Sequence, residues 1–448
     1  MSLLQLLNAY RDRRLLSIFL FGISSGFPFV MIGSVMSAWL SDEGLSRASI
    51  GLFGIIFNVY AFNFLWSPLL DRLRLPWLGQ RRGWIVTMQL AIAGCCMYMS
   101  TLDVQNALYT MALLGLLIAI FSATQDIAID AYRIDIIADN EKDKLSAASS
   151  LATAGWWTGY GGLGALPFVI ADLPGWSWSD IYLLLAGIMA SIAVFTLLAK
   201  EPDIDRAALV QQAQARYAQA TKGASTALSG LIAWLAVALI EPFREFFSRN
   251  GVRLALSILA FIFLFKLGEA FLGRMSIVFY KEVGFSNTDI GYYSKLLNWW
   301  VTIIFSVIGG LMNIRYGIYR GLFIAGLAMA ASNLMFAWIA EVGPSKGLFA
   351  ATIIVDGFTS AWSTVAMVAF ISLMCNRTFS ASQYALMASL SVAGKNTLAT
   401  SSGWIVDSLN GNWSLFFILT AVMVTPGLLF LRTLRQDIAI AEKNAAKM

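Results

Sequence analysis

Asp126 and Asp130 stand four residues apart in the stretch Phe121–Asp135, which continues a strongly apolar run from Ala107 to Ile120. On a helix that spacing puts both carboxylates on one face. A carboxylate on a membrane helix costs roughly 2.5 kcal/mol or more near the bilayer centre, so two on one face imply a wet cavity between helices. Carboxylates placed there can load and release protons. The chain has no histidine, so proton handling near neutral pH falls to carboxylates or lysines. Asp126, Asp130 and Glu269 are the candidate proton-coupling residues. The alternative for the aspartates is structural: caps near a helix end, or partners for Arg133 and loop arginines, the role expected of Asp135 and Asp139.

Lys266 and Glu269 are three apart and can neutralise each other within one helix. Lys266 nevertheless falls near the middle of its apolar run and Lys395 near the middle of another, so both can point at one central site. Lys295 and Asn298 lie three apart on the apolar run after that of Lys266, and Asn396 follows Lys395. Tyr60, Asn63, Gln125 and Trp157 supply amides and aromatic faces on the first half of the chain. Together these nine are the candidate substrate-binding residues. Their alternative is helix packing or hydrogen bonding between helices.

The elements that must position these groups follow from composition. Of 448 residues, 58% are hydrophobic and 13% charged, whereas soluble domains carry about 25% charged residues. The chain reads as an all-α polytopic membrane protein, because its apolar runs reach about 20 residues and lack the alternation of a barrel. Twelve spans can be drawn, at roughly 14–38, 48–70, 83–101, 107–137, 146–170, 180–199, 253–280, 288–312, 319–341, 347–373, 381–407 and 413–432. They divide into a six-helix bundle (1–199), a linker (200–252) that includes an apolar segment at 227–240 suited to a membrane surface, and a second bundle with a short tail (253–448). Most of the 31 lysines and arginines fall in loops on the side of the termini, leaving Arg47, Lys281 and Lys346 opposite. Both termini are therefore expected in the cytoplasm. The same distribution explains the net charge of +5 without nucleic acid.

Leu15 to Ala38 reads as a first span rather than a cleavable signal. Cys95 and Cys96 lie in an apolar run and Cys375 in a loop, so no disulfide framework is expected. Gly155, Gly159, Gly161, Gly162 and Gly164 on span five imply close helix approach. There is no nucleophile–base constellation, metal-ligand cluster or Gly-rich phosphate loop. An enzyme is not expected, nor a metal or cofactor.

Asp71-Arg72-Leu73-Arg74 with Arg81-Arg82 joins spans two and three, and Asn313-Ile314-Arg315-Tyr316-Gly317 with Arg320 occupies the equivalent place between spans eight and nine. An acid at a helix end, an arginine cluster and a six-plus-six layout resemble the major facilitator superfamily. Asp71, Arg72, Arg81 and Arg82 are on that reading a gating loop; the plain alternative is positive-inside anchoring. Phe64-Leu65-Trp66-Ser67-Pro68, Ser122-Ala123-Thr124-Gln125-Asp126, Pro242-Phe243-Arg244-Glu245-Phe246-Phe247 and Cys375-Asn376-Arg377-Thr378-Phe379-Ser380-Ala381-Ser382-Gln383 are similar to the AmpG muropeptide permeases. The resemblance runs from about Arg14 to Leu434. It implies a bacterial inner-membrane importer, monomeric and driven by the proton gradient, with two halves enclosing a central substrate site. The implied cargo is an anionic amino-sugar, N-acetylglucosaminyl-1,6-anhydro-N-acetylmuramic acid with or without peptide, for cell-wall recycling and β-lactamase induction. An acyl-CoA or siderophore importer and a non-transporting sensor remain as alternatives. Family members usually have lysine where this chain has Asn63, an arginine near Trp157, and arginine at Lys395. The first two differences remove positive charge near Asp126 and Asp130.

Overall fold

The computed structural model describes residues 9–45, 53–73, 78–137, 141–171, 173–202, 240–286, 289–399 and 401–444. The side chains of Arg72, Lys395 and Asn396, the residue Asp139 and nearly all of the apolar segment 227–240 lie outside the described residues. Regular structure among the described residues is helical, with no β-strand. Among the described residues, eight helices are long and apolar enough to cross a bilayer: Arg13–Leu40, Val104–Ile136, Trp178–Leu198, Val252–Val283, Tyr292–Tyr316, Ile318–Val342, Lys346–Met374 and Trp413–Thr433. They match expected spans one, four, six, seven, eight, nine, ten and twelve.

The other four expected spans are helical too, but more broken or more polar. Span two consists of the 3₁₀ turn Gly54–Asn58, the helix Val59–Phe62, a second 3₁₀ turn Asn63–Leu65 and the helix Ser67–Arg72. Span three is Arg81–Met99. Span five runs Lys142–Trp157, widens into a π turn at Thr158–Leu163 and ends with Gly164–Ala171. Span eleven is Ser380–Ala399, and a separate helix, Ser402–Ser408, replaces its expected outer third. Spans two, five and eleven pack against the opposite half, so serine, asparagine and glycine replace the leucines that lipid would favour. Two further breaks depart from expectation. Span seven stops at Leu264 and restarts at Leu267, with Lys266 at the join, and span twelve restarts at Thr425, one residue before Pro426. Proline lacks the N–H that would continue the ladder.

How the helices are capped differs between the two ends of the bundle. At the end away from the termini, helices begin with their own caps: Asp103 for span four, Ser177 with Asp180 for span six, Ser345 for span ten and Asn412 for span twelve. Each side chain accepts one of the orphan N–H groups of its first turn. At the terminal end, three helices begin with acids supplied from elsewhere. Glu201, just after span six, accepts the Arg81 and Arg82 N–H groups of span three at 2.7 and 2.9 Å. Glu442, in the helix after span twelve, accepts the Ile318 N–H of span nine at 2.7 Å. The two halves thus repeat one device, an acid following the sixth helix that caps the third. The third case, Asp71 on span eleven, crosses between the halves.

Packing follows the same division. One apolar core around Phe27, Met31, Ile118 and Tyr182 is built from the first half alone, and another around Phe279, Phe336 and Phe417 from the second alone. A third, around Phe21, Ile127 and Tyr132, takes in Ile314, Ala381 and Ala385 from the second half. Spans one and five cross backbone on backbone. A Cβ at Gly22, Gly26, Gly155 or Gly159 would stand 2.1 to 2.6 Å from a carbonyl oxygen of the partner helix. The expected close approach of span five therefore has a definite partner. Gly161 and Gly162 instead lie under the Trp299 indole of span eight, and Gly164 beside Val30.

Candidate functional site

The halves meet first through charge at the terminal end. Arg81 is 1% exposed and donates to Asp71 (2.8 Å) and Asp135 (2.7 Å) at the ends of spans two and four. It also reaches the Ser380 hydroxyl at 2.8 Å, which donates in turn to Asp135. Asp71 accepts three further bonds from the first turn of span eleven: Ala381 N at 3.2 Å, Ser382 N at 2.9 Å and Ser382 Oγ at 2.6 Å. A carboxylate at a helix N-terminus satisfies orphan donors and opposes the helix dipole, so each partner stabilises the other. Arg82, the other described arginine of the expected gating loop, stays within the first half. It donates to the carbonyls of Leu78, Leu197 and Ala199 and ties span three to span six.

Two motifs from distant parts of the sequence hold the far side of this contact. Helix Glu241–Asn250 carries Glu245, which accepts from Asn376 Nδ2 (2.8 Å) and Gln383 Nε2 (2.6 Å), and Arg249 donates to the Met374 carbonyl at 2.7 Å. Gln383 closes the loop by accepting the Asn376 N–H at 2.7 Å. The segment Pro242–Phe247 and the segment Cys375–Gln383 are therefore one docked unit, and it presents Ser380 and Ser382 to Asp71.

Behind this layer lies a second one. Asp130 pairs with Arg133 at 2.8 Å, and the Arg133 guanidinium sits 4.9 Å from the centroid of the Tyr384 ring of span eleven. Arg133 also reaches Ser372 of span ten, and Arg377 the Ile134 carbonyl. Asp130 thus faces the second half, while Asp126, one turn away, is bonded within the first half, with Ser25 of span one donating to it at 2.7 Å. The cation beside the aspartates comes from their own helix. Of the two readings of Asp130, the arginine partnership is present in this state, and the carboxyl keeps an exposed edge of 27%. Midway along the helices, Ser389 donates to Asn63 at 2.8 Å. Tyr10 binds Ser150 (2.8 Å) and the Val307 carbonyl (3.2 Å), and Trp299 donates to the Trp157 carbonyl (3.2 Å). Among the described residues, hydrogen bonds between the halves run from the terminal end to about mid-membrane and no farther. At the opposite end the bonds stay within each half, as in Trp178 to Asp42 and Trp413 to Glu282.

The remaining candidates are placed unevenly. Tyr60 stacks on Phe29 at 4.3 Å, and its buried hydroxyl has no hydrogen-bond partner among the described residues. Trp157 packs edge-on against Trp156 at 5.3 Å. Gln125 is fully buried and donates to the Ser24 carbonyl, so it joins spans four and one instead of facing the gap. In the second half Lys266 is 3% exposed and bound to Glu269 (2.6 Å) and Thr364 (2.8 Å), with Ser360 donating to Glu269 at 2.9 Å. The intrahelical pair expected from the spacing has formed at the break in span seven. Lys295 is exposed in the π turn Ile290–Leu297, and Asn298 lies over Gly357 of span ten, in its own half. Among the described residues Asp130 pairs with Arg133 and Lys266 with Glu269, so each of these charges is neutralised within its own half. Sequence reasoning passed over Asp356, which accepts from Ser332 at 3.0 Å. Its position in span ten, with Ser360 and Thr364 one and two turns on, was the available signal.

The family model described as Major Facilitator Superfamily matches residues 18–298. An anhydromuropeptide permease of Escherichia coli (strain K12) is 30% identical over 444 residues, covering 98% of this chain and 83% of that protein. The Rickettsia felis protein named AmpG 4 is 30% identical over 434 residues, covering 96% of this chain and 99% of that one. The chain belongs to the AmpG-type permeases of the major facilitator superfamily. Solved structures agree on the fold. The proton:xylose symporter XylE bound to 6-bromo-6-deoxy-D-glucose has a TM-score of 0.64 at 14% identity over 95% of both chains. FucP in its outward conformation has a TM-score of 0.64 at 16% identity, over 95% of this chain and 99% of that one. An AmpG-type permease is a multi-pass membrane transporter and not an enzyme: its polar groups move a solute without transforming it.

Proposed function

We propose that the chain imports anhydro-muropeptides, N-acetylglucosaminyl-1,6-anhydro-N-acetylmuramic acid with or without peptide, across the inner membrane of a bacterium, and that protons move inward with them. The observation that carries this reading is 30% identity to an anhydromuropeptide permease across 98% of the chain. The terminal end, rich in lysine and arginine, is the cytoplasmic side. With its charged layers closed and the opposite end bonded only within each half, the described state faces the periplasm. Import requires Asp71, Arg81, Asp135, Ser380 and Ser382 to part while the far ends of the halves come together, as in alternating access.

Asp126, Asp130 and Glu269 are the proton carriers in this proposal, since each combines a carboxyl group with partial exposure inside the bundle. Tyr60, Asn63 and Trp157 on one wall and Lys266 with Lys395 on the other contact the solute; Lys295, Asn298 and Asn396 contribute from the second half. An inward proton supplies roughly 2.3 kcal/mol per 100 mV, which offsets the electrical cost of importing one anionic group. The test is uptake of labelled anhydro-disaccharide by cells of a strain lacking its own muropeptide permease. Uptake is expected to appear with this gene and to collapse with an uncoupler. It should be outcompeted by unlabelled muropeptide and unaffected by acyl-CoA esters or iron chelates. Uptake that survives the uncoupler rejects proton coupling, and competition by a CoA ester or chelate rejects the cargo.

A further inference from the structure

Arg133 is 3% exposed, yet its donors are unequally used. Nη1 donates to Asp130 at 2.8 Å. On the opposite edge, Nη2 reaches the Ser372 hydroxyl at 3.4 Å, the Tyr384 hydroxyl of span eleven is within hydrogen-bond reach of the guanidinium, and Nε is buried with no hydrogen-bond partner among the described residues. Nε–H and one Nη2–H lie parallel on a guanidinium and form the fork that takes a carboxylate with two bonds. An unmade bond at a buried charged donor is costly, so a fork left open here calls for an occupant. The groups that close it off, Ser372 of span ten and Tyr384 of span eleven, both belong to the second half and move away when the halves separate at this end.

We propose that the Nε–Nη2 edge of Arg133 is a carboxylate-binding site of the transport path, used when the terminal end opens. Its ligand is the lactyl or peptide carboxylate of the cargo, so the proposal rests on the anionic muropeptide reading above. Asp130 holds the other edge and keeps the guanidinium oriented. One cation then faces two carboxylates, and a proton taken by Asp130 restores the balance, so solute and proton share one residue. The other titratable groups around the pair are Asp126 on the same helix and Tyr384 and Cys375 from the second half.

The test is counterflow in inside-out vesicles, where solute meets the terminal end first. It uses two probes: labelled N-acetylglucosaminyl-1,6-anhydro-N-acetylmuramic acid and its lactyl carboxamide. Arg133→Gln is expected to raise the half-saturation concentration of the acid roughly tenfold to a hundredfold, as for loss of a charge-assisted pair, and that of the amide less than about twofold. Arg133→Lys should fall between, because an ammonium lacks the fork. Arg133→Lys keeps the charge and decides the matter if Arg133→Gln does not fold. Equal effects on acid and amide in the arginine variants overturn the assignment. Wild-type protein that carries neither probe overturns the cargo reading and this site with it, whereas wild-type transport without acid–amide discrimination in the variants sinks the arginine site only.

Discussion

Replacing Asp71 with asparagine removes the charge at the junction of the two halves and preserves its shape. Asp71 is 5% exposed and accepts four hydrogen bonds, one from Arg81 within its own half and three from the first turn of span eleven. An asparagine offers one carbonyl oxygen and turns an NH₂ group toward groups that are themselves donors. Hydrogen bonds to a charged group contribute about 1.5–3 kcal/mol each. Losing one or two of those that cross the halves therefore costs the closed state about 3 kcal/mol, with little cost to a state in which the halves have already parted. That is a shift of roughly a hundredfold in the balance between the two states. The assay is alkylation of Ser389→Cys, in a chain whose Cys95, Cys96 and Cys375 have been replaced by alanine. Ser389 is 4% exposed and lies between spans eleven and two, so a reagent reaches it when the terminal end opens. Alkylation should run between about tenfold and a thousandfold faster in Asp71→Asn, given the spread of the bond energies. A rate within twofold of the parent would refute the idea that Asp71 holds this end shut.

Three other outcomes follow from the packing and capping. Gly155→Ala and Gly159→Ala place a methyl 2.3 and 2.2 Å from the carbonyls of Phe19 and Ile23. Each should lower folding stability by about 1–3 kcal/mol, read as a lower melting temperature in detergent, while Gly187→Ala, with open space at its Cβ, should not. Glu201→Gln weakens the cap on span three and should cost about 1 kcal/mol, and Glu442→Gln should do the same to span nine; unchanged melting in both would remove the repeated device. At the first helix, Arg14 and then Lys144 hold the Asp12 carboxyl well below its usual range. A depressed carboxylate contributes stability that is present above about pH 4 and is lost as the pH falls further. The melting temperature gap between wild type and Asp12→Asn should therefore narrow under acid, and a gap that widens would reverse the sign.

The sequence exposed what depends on spacing and concealed what depends on long-range contact. Lys266 and Glu269 were legible as an intrahelical pair, and span boundaries such as Ile318–Val342 fell within a residue of expectation. Asp71 and Arg81 were legible as partners because an acid stands at a helix end beside an arginine cluster, and they form an ion pair. Their partner was not legible: Asp71 and Ser382 are 311 positions apart, and nothing local marks serines as the far side of a gate. Nothing local in the sequence marks Glu201 and Glu442 as caps, because the first turns they cap lie on other helices, 120 and 124 positions away. Gln125, polar in an apolar run, looked like a ligand for solute and is instead bonded to a span-one carbonyl, a choice that helix rotation makes and composition does not record. The breaks at Lys266 and after Ala399 were hidden for the same reason. A helix tolerates a polar residue or interrupts itself around one, depending on what stands opposite.

The central claim is that carboxylates in the wall of the first half carry protons with an anionic solute through a gate at the terminal end. The most direct measurement is substrate-induced proton movement in proteoliposomes with an internal pH dye and no imposed gradient. Addition of anhydro-disaccharide should acidify the lumen in wild type, and Asp126→Asn or Asp130→Asn should abolish that signal while solute exchange persists. Solute uptake by wild type without acidification, or full acidification in both variants, would contradict the account.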